Sequence, residues 1–230
     1  MSALLILGID TSGKTAACAL FENGGLLGQI SICTMKTQSQ VILPAVKRLM
    51  EDCKKEFTQL DSIAVSKGPG SYTGIRIGLA AVKAMAFALD IPVCGVSSLE
   101  ALALGCGREG LICSVMKARQ DIVYSGIYRV DKKGASVTLM ADRVMNTAEL
   151  KNELDKYNEG ITLTGDGAYD LMSCFPDERF SLTPPHLRMQ SGCGVVLAAE
   201  GKETADPSEL QASYLQLVKA EKDLLEKSAT

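Results

Sequence analysis

Residues 63–89 read Ile63-Ala64-Val65-Ser66-Lys67-Gly68-Pro69-Gly70-Ser71-Tyr72-Thr73-Gly74-Ile75-Arg76-Ile77-Gly78-Leu79-Ala80-Ala81-Val82-Lys83-Ala84-Met85-Ala86-Phe87-Ala88-Leu89. A strand-like apolar run enters a glycine-rich turn and leaves as a helix whose only charges, Arg76 and Lys83, sit seven apart on one stripe. The rest of that helix surface is small or apolar. A helix that is hydrophobic all round is expected to be buried all round, at the centre of a domain or against a partner.

The glycines (Gly68, Gly70, Gly74) are spaced G-x-G-x-x-x-G, which is not the dinucleotide-binding spacing. Asp90, the nearest acid, precedes the next strand instead of ending it, so it is misplaced for a ribose. A loop that brings helix and strand close together is the better reading, although a helix N-terminus can hold an anion. Within the helix, Gly74 and Gly78, with Ala81 and Ala88, leave room for a second helix. Leu79, Val82, Met85, Ala86 and Leu89 supply apolar area beyond what a core needs. The spacing therefore points to a helix-on-helix subunit interface, with the helix over 40–54 as its neighbour.

Upstream, residues 4–10 form an apolar run ending in Asp10, and Thr15–Phe21 and Leu26–Cys33 read as two further strands joined by the hairpin signal Asn23-Gly24-Gly25. A helical pattern follows through Val46, Leu49, Met50, Cys53 and Phe57, with Pro44 in its first turn. A strand at 62–66, the glycine turn and its helix, a strand at 92–96 and a helix capped by Ser97 or Ser98 complete the order β-β-β-α-β-α-β-α by about residue 105. The second half repeats this architecture in reduced form. Its strands lie at 111–117, 122–130, 136–144 and 161–164, and its helices near 147–156, after Gly165-Asp166-Gly167, and at 191–201. Pro176, Pro184 and Pro185 mark an irregular region, and 208–230 reads as a helical or frayed tail. The expected fold is α/β and two-lobed, of the actin-like ATPase (ribonuclease H-like) type, with lobes at 1–105 and 106–230.

Composition bounds the function. The 230 residues are 47% hydrophobic and 22% charged with a net charge of −3, so the chain is not expected to supply most of an RNA's phosphate contacts by itself. The N-terminal residues have no basic leader, and Arg76 and Lys83 interrupt the best membrane-span candidate, so no secretory signal and no span are expected. Eight cysteines lie in apolar surroundings without a C-x-x-C pair, which suits reduced thiols in the cytoplasm. One histidine, His186, leaves zinc almost no ligands and gives Ser12, Ser71 and Ser98 no base, so peptidase chemistry is excluded.

Several stretches together resemble the TsaB family, bacterial proteins that pair with TsaD in making threonylcarbamoyladenosine on tRNA. They are Leu7-Gly8-Ile9-Asp10-Thr11-Ser12, Gln40-Val41-Ile42-Leu43-Pro44, the segment Gly68–Gly78, and Pro92-Val93-Cys94-Gly95-Val96-Ser97-Ser98-Leu99. Ala118-Arg119 with Val123-Tyr124, and Tyr214-Leu215 with Ala220-Glu221, match more weakly. Where TsaD carries its two metal-binding histidines, this chain has Ser98 and Leu102, which cannot replace imidazole ligands. Departures from the family's pattern are Gln38 for histidine, Lys117 for aspartate, and Ala212 and Gln216 for proline and arginine.

The resemblance implies a non-catalytic scaffold with no cofactor and no metal. It binds TsaD, offers a platform for the ATPase TsaE, meets tRNA only through the complex, and homodimerises when alone through the same surface. The expected interface residues are Gly74, Ile75, Gly78, Leu79, Ala81, Val82, Met85, Val46 and Met50, with Arg76 at the rim. Asp10-Thr11-Ser12 is the position of a phosphate site in actin-like ATPases, which sustains the alternative of a nucleotide-binding ATPase or phosphotransferase. The plainer reading, that Asp10 and Thr11 satisfy donors in a tight turn, is favoured because the second lobe lacks an opposing jaw.

Overall fold

The computed structural model describes residues 4–33 and 36–215. The described residues form ten strands and six helices, in the expected order except for a short last strand in the region expected to be irregular. β1 (Leu5–Asp10), β2 (Thr15–Glu22), β3 (Gly25–Cys33), α1 (Gln38–Asp52), β4 (Ser62–Ser66), α2 (Tyr72–Leu89), β5 (Val93–Val96) and α3 (Ser98–Gly105) make the first half. β6 (Gly110–Arg119), β7 (Ile122–Val130), β8 (Ser136–Asn146), α4 (Thr147–Leu154), β9 (Ile161–Thr164), α5 (Ala168–Cys174), β10 (Phe180–Leu182) and α6 (Gly192–Ala199) follow. The sheets have the same order, β3-β2-β1-β4-β5 and β8-β7-β6-β9-β10, so the chain uses one topology twice. In each, the first three strands are an antiparallel meander and the last two run parallel to the first.

β1 reads as a continuous apolar run because both its faces are covered. Leu5, Leu7 and Ile9 join a core with α1 and α2, through Val46, Met50, Ile75 and Val82. Ile6 faces Val196 of α6 on the other side. A Cβ on Gly8 would collide with Val196 and the Gly192 carbonyl, so glycine sets how closely α6 approaches the sheet. The hairpin signal at Asn23-Gly24 is met by positive φ at both residues, 52° and 79°, the geometry that matches strand twist.

The lobes expected at 1–105 and 106–230 each hold one sheet but share their helices. The sheets do fall on either side of residue 105, but the helices between them are exchanged. α3 packs on β6 and β7 of the second sheet, α6 packs on β1 and β2 of the first, and the two cross each other. The Ser114 hydroxyl donates to the Leu99 carbonyl at 2.7 Å, fixing α3 to β6. The chain then returns to the first lobe, where Ala205 bridges Val93 and Leu210 enters the core.

Four smaller expectations change. α1 starts at Gln38, so Pro44 lies inside the helix on its exposed side instead of in the first turn. β10 fills part of the region read as irregular; three residues are too few to show a period. α2 is, among the described residues, the one helix long and apolar enough by length and composition to cross a membrane, and two charges do not disqualify it. One of its faces is packed on the first sheet, which is what a core helix does. The tail from 208 is irregular as far as Leu215 except for a 3₁₀ turn over Pro207–Glu209; Gln216, Ala220-Glu221 and the helix expected near the end lie outside the described residues.

Candidate protein-docking face

α2 has two unlike sides, and the expectation that it is buried all round fails on one of them. Gly74, Ile75, Gly78, Leu79, Val82 and Ala86 are buried. Ala80, Ala84, Phe87 and Ala88 are exposed, Phe87 at 59%. Ile77, Ala81 and Met85 are half-buried between these sides. On α1, Leu43 and Pro44 are exposed in turn. The outward side of α2 is therefore largely apolar and carries no carboxylate, whereas the exposed side of α1 continues past Pro44 into the ion pairs Lys47–Glu51 and Arg48–Asp52.

This alters the list of interface residues. Gly74, Ile75, Gly78, Leu79, Val82, Val46 and Met50 face the chain's own core and are not available to a partner. The periods 75, 79, 82, 86 and 80, 84, 87 describe opposite sides of one helix. An all-apolar sequence does not say which side meets the sheet. Gly74 and Gly78 do leave room for a close approach, but the group that occupies it is Thr11. A Cβ on Gly74 would collide with the Thr11 carbonyl, and one on Gly78 with its hydroxyl oxygen. The Thr11 hydroxyl donates to the Gly74 carbonyl at 2.7 Å.

The turn Asp10-Thr11-Ser12 is thus clamped beneath the glycine loop. Asp10 is wholly buried, and its carboxylate accepts from the Ser12 N–H (2.8 Å), the Ser12 hydroxyl (2.7 Å) and the Ser66 hydroxyl (2.6 Å). Burial raises its pKa above the ordinary value against these three hydrogen bonds, which lower it. The Ser71 N–H donates to the Ser12 carbonyl at 2.7 Å, and the Ser71 side chain caps α2 by accepting from the Gly74 N–H at 3.2 Å. Gly68 and Gly70 hold positive φ of 119° and 148°, and a Cβ on Gly70 would collide with the Ser12 carbonyl. A hollow of about 520 Å³ remains outside the turn, between Gly13, Lys14, Thr37, Ser71 and Ile77, and Asp10 does not line it. Ser66, the partner that completes the Asp10 cluster, carries no signal in the sequence.

Ser98 and Leu102 sit in α3 at 0% and 2% exposure, walled into the core between the lobes. Ser97 is the cap of α3, and its hydroxyl also donates to Asp142 of β8. Among the described residues, no three His, Cys, Asp or Glu side chains are grouped to hold a metal ion. Arg76, expected at the rim, is exposed but engaged within the chain. Its guanidinium stacks 4.0 Å over the Tyr72 ring and its Nε donates to the Tyr214 hydroxyl at 3.1 Å, latching the returning tail to the start of α2.

Residues 29–194 match the family described as TsaD, tRNA N6-adenosine threonylcarbamoyltransferase. A Bacillus subtilis protein named tRNA threonylcarbamoyladenosine biosynthesis protein TsaB is 34% identical over 229 residues, covering 97% of this chain and 99% of that one. The chain belongs to the TsaB family. Its place is in the biosynthesis of threonylcarbamoyladenosine on tRNA. The solved structure of YeaZ from Pseudomonas aeruginosa superimposes with a TM-score of 0.78 at 25% identity, over 94% of this chain and all of that one. EutJ from Carboxydothermus hydrogenoformans, at 11% identity and a TM-score of 0.51 over 85% of this chain and 89% of its own, shares the fold alone. The two-lobed actin-like architecture expected of this TsaB-family chain is the one it has.

Proposed function

We propose that the chain is a non-catalytic subunit that docks on a TsaD-type catalytic subunit and stabilises its active conformation. The observation that carries this is the outward side of α2, where Ala80, Ala84, Phe87 and Ala88 lie open to solvent; Leu43 and Pro44 of α1 are exposed as well. Small residues around one large aromatic suit a close helix-on-helix contact with Phe87 as its anchor. The closed Asp10 turn and the burial of Ser98 and Leu102 support a chain that keeps the frame of an ATPase without its chemistry. The assembled pair then offers a platform to the ATPase TsaE, and tRNA meets this chain only through the complex. Its site of action is the cytoplasm, in keeping with eight unpaired cysteines.

The test is binding to the TsaD-type subunit and tRNA modification by the reconstituted system. Phe87→Lys and Ala84→Glu are expected to weaken assembly at least about tenfold and to lower modification in parallel. Assembly at wild-type affinity would overturn the proposal. The competing reading is a nucleotide-binding ATPase or phosphotransferase, favoured by the hollow beside Lys14. It requires ATP affinity in the isolated chain that Asp10→Ala abolishes.

A further inference from the structure

A polar cluster joins the two lobes where β5 runs into α3. Tyr128 of β7 is buried, and its hydroxyl donates to one oxygen of the Asp142 carboxylate on β8. The other oxygen accepts from the hydroxyl of Ser97, which itself accepts from the Leu99 and Glu100 N–H groups, both at 3.1 Å. Within the first turn of α3, Glu100 accepts from the Ser136 hydroxyl of β8 at 3.0 Å and from the Lys202 ammonium beyond α6. The start of α3 is thereby tied to the edge strand of the second sheet at two points, Asp142 and Ser136.

The second sheet is shaped to make this contact. The pairing of β7 with β8 shifts register between Ser125 and Tyr128. A Cβ on Gly126 would lie 2.6 Å from the Tyr128 hydroxyl and 2.8 Å from the Asp142 carboxylate, so both groups lie over the gap that glycine leaves. An irregularity of this kind re-aims a side chain. The cluster is not built for stability. Asp142 bonds to two neutral hydroxyls, and the ammonium of the cluster, Lys202, bonds to Glu100 instead. Burial pushes the Asp142 pKa up, against the hydroxyl bonds that lower it. Apolar packing of similar volume would stabilise as much or more. What a satisfied polar network adds is one fixed arrangement of the groups around it.

We infer that Asp142 is the pin of an inter-lobe lock. Its two hydroxyl bonds hold the start of α3, and with it the glycine loop that begins α2, at one setting against the second sheet. The loop follows α3 because the Ser98 N–H donates to the Gly68 carbonyl at 3.0 Å and the Lys67 N–H to the Val96 carbonyl at 2.9 Å. Gly68 opens the turn whose Ser71 caps α2. Asp142 is thus a positioning residue that acts on the loop through Ser97. The lock concerns the chain alone and stands apart from the docking of a partner on α2.

Native-state amide exchange of the full chain, read by mass spectrometry, tests this. Asp142→Ala is expected to speed exchange at 97–101 and 67–71 at least about tenfold, with β1 and β6 keeping wild-type protection. Asp142→Asn keeps an acceptor and adds a donor for the second hydroxyl, so exchange should return to within about threefold of wild type. Tyr128→Phe removes one hydroxyl at nearly constant volume and should speed the same segments about threefold. It carries the prediction should the alanine variant not fold. Arg143→Ala, at the exposed neighbour on β8, should leave both segments at wild-type rates. A cluster that only adds stability would raise exchange in β1 and β6 together with α3. That outcome overturns the inference, as does unchanged exchange at 67–71 in Asp142→Ala or Tyr128→Phe, or an asparagine variant as fast as the alanine one.

Discussion

The turn from β4 into α2 and the turn from β9 into α5 occupy the same place in the two lobes and are built the same way, yet they lead to different surfaces. In the first lobe, Gly70 and Gly74 are pressed by the backbone of Ser12 and Thr11, just past β1. In the second, Gly165, at φ 97°, and Gly167 are pressed by Val115 of β6. Each lobe thus lays a helix close over its first strand by removing side chains at the crossing. α2 then continues for 18 residues and shows an uncharged side to solvent, whereas α5 ends after seven, with Asp170 paired to Lys117 at 2.6 Å. The shared turn is structural in both lobes, and only the helix that follows in lobe one presents an exposed apolar side, the one proposed above for docking.

The sharpest attempt to break this equivalence is a pair of alanines. Gly74→Ala and Gly165→Ala should each cost about 3 kcal/mol in denaturant unfolding, since backbone carbonyls cannot move aside. Gly167→Ala meets a buried Val115 methyl, with the Val115 carbonyl farther off, and should cost less, about 1.5 kcal/mol. A tolerated Gly165→Ala would mean that the second turn is not the counterpart of the first. Next in size is Asp10→Ala, which leaves the Ser12 N–H and two hydroxyls without their acceptor and should cost about 2 kcal/mol. Because the folded chain holds the Asp10 proton more tightly than the unfolded chain, this carboxyl adds stability as pH falls through its raised native pKa and loses it as pH rises. The variant's stability profile should lack that slope.

Smaller in stability but larger in meaning is the exchange of Phe87 on α2 and Tyr169 on α5, both about 60% exposed (59% and 62%). Phe87→Lys and Tyr169→Lys should each change unfolding by less than about 0.5 kcal/mol. Only Phe87→Lys should weaken partner binding. Loss of binding in the Tyr169 variant would move the docking face to the other lobe. The mildest measurement is thiol labelling of the native chain. Exposed Cys33 and Cys174 should react first, while Cys18 and Cys113, whose burial pushes their pKa up to about 12, should react only on unfolding.

The frame was legible because each strand–helix alternation carries its own local signal. The run Leu5–Asp10, the Asn23-Gly24 turn and the glycines before α2 each fix an element without help from the rest of the chain. Which way α2 faces was not legible, since Ile75 and Leu79 differ from Ala80 and Phe87 only in what packs on them. The same limit hid Ser66 beside Asp10, 56 residues away, and the Tyr214 latch on Arg76, 138 residues away. The spacing marks Gly74 and Gly78 as room for a neighbour, but it cannot tell a partner's helix from the chain's own Thr11.

The exchange of α3 and α6 between the sheets has a consequence for how the chain can be divided. Cutting after residue 105 would strand α3 without the sheet it covers and leave the Ile6–Gly8 side of β1 bare, so neither piece is a folding unit. The contact between α3 and α6 stitches the halves together. A partner gripping α2 therefore takes hold of the whole molecule, not one jaw of it.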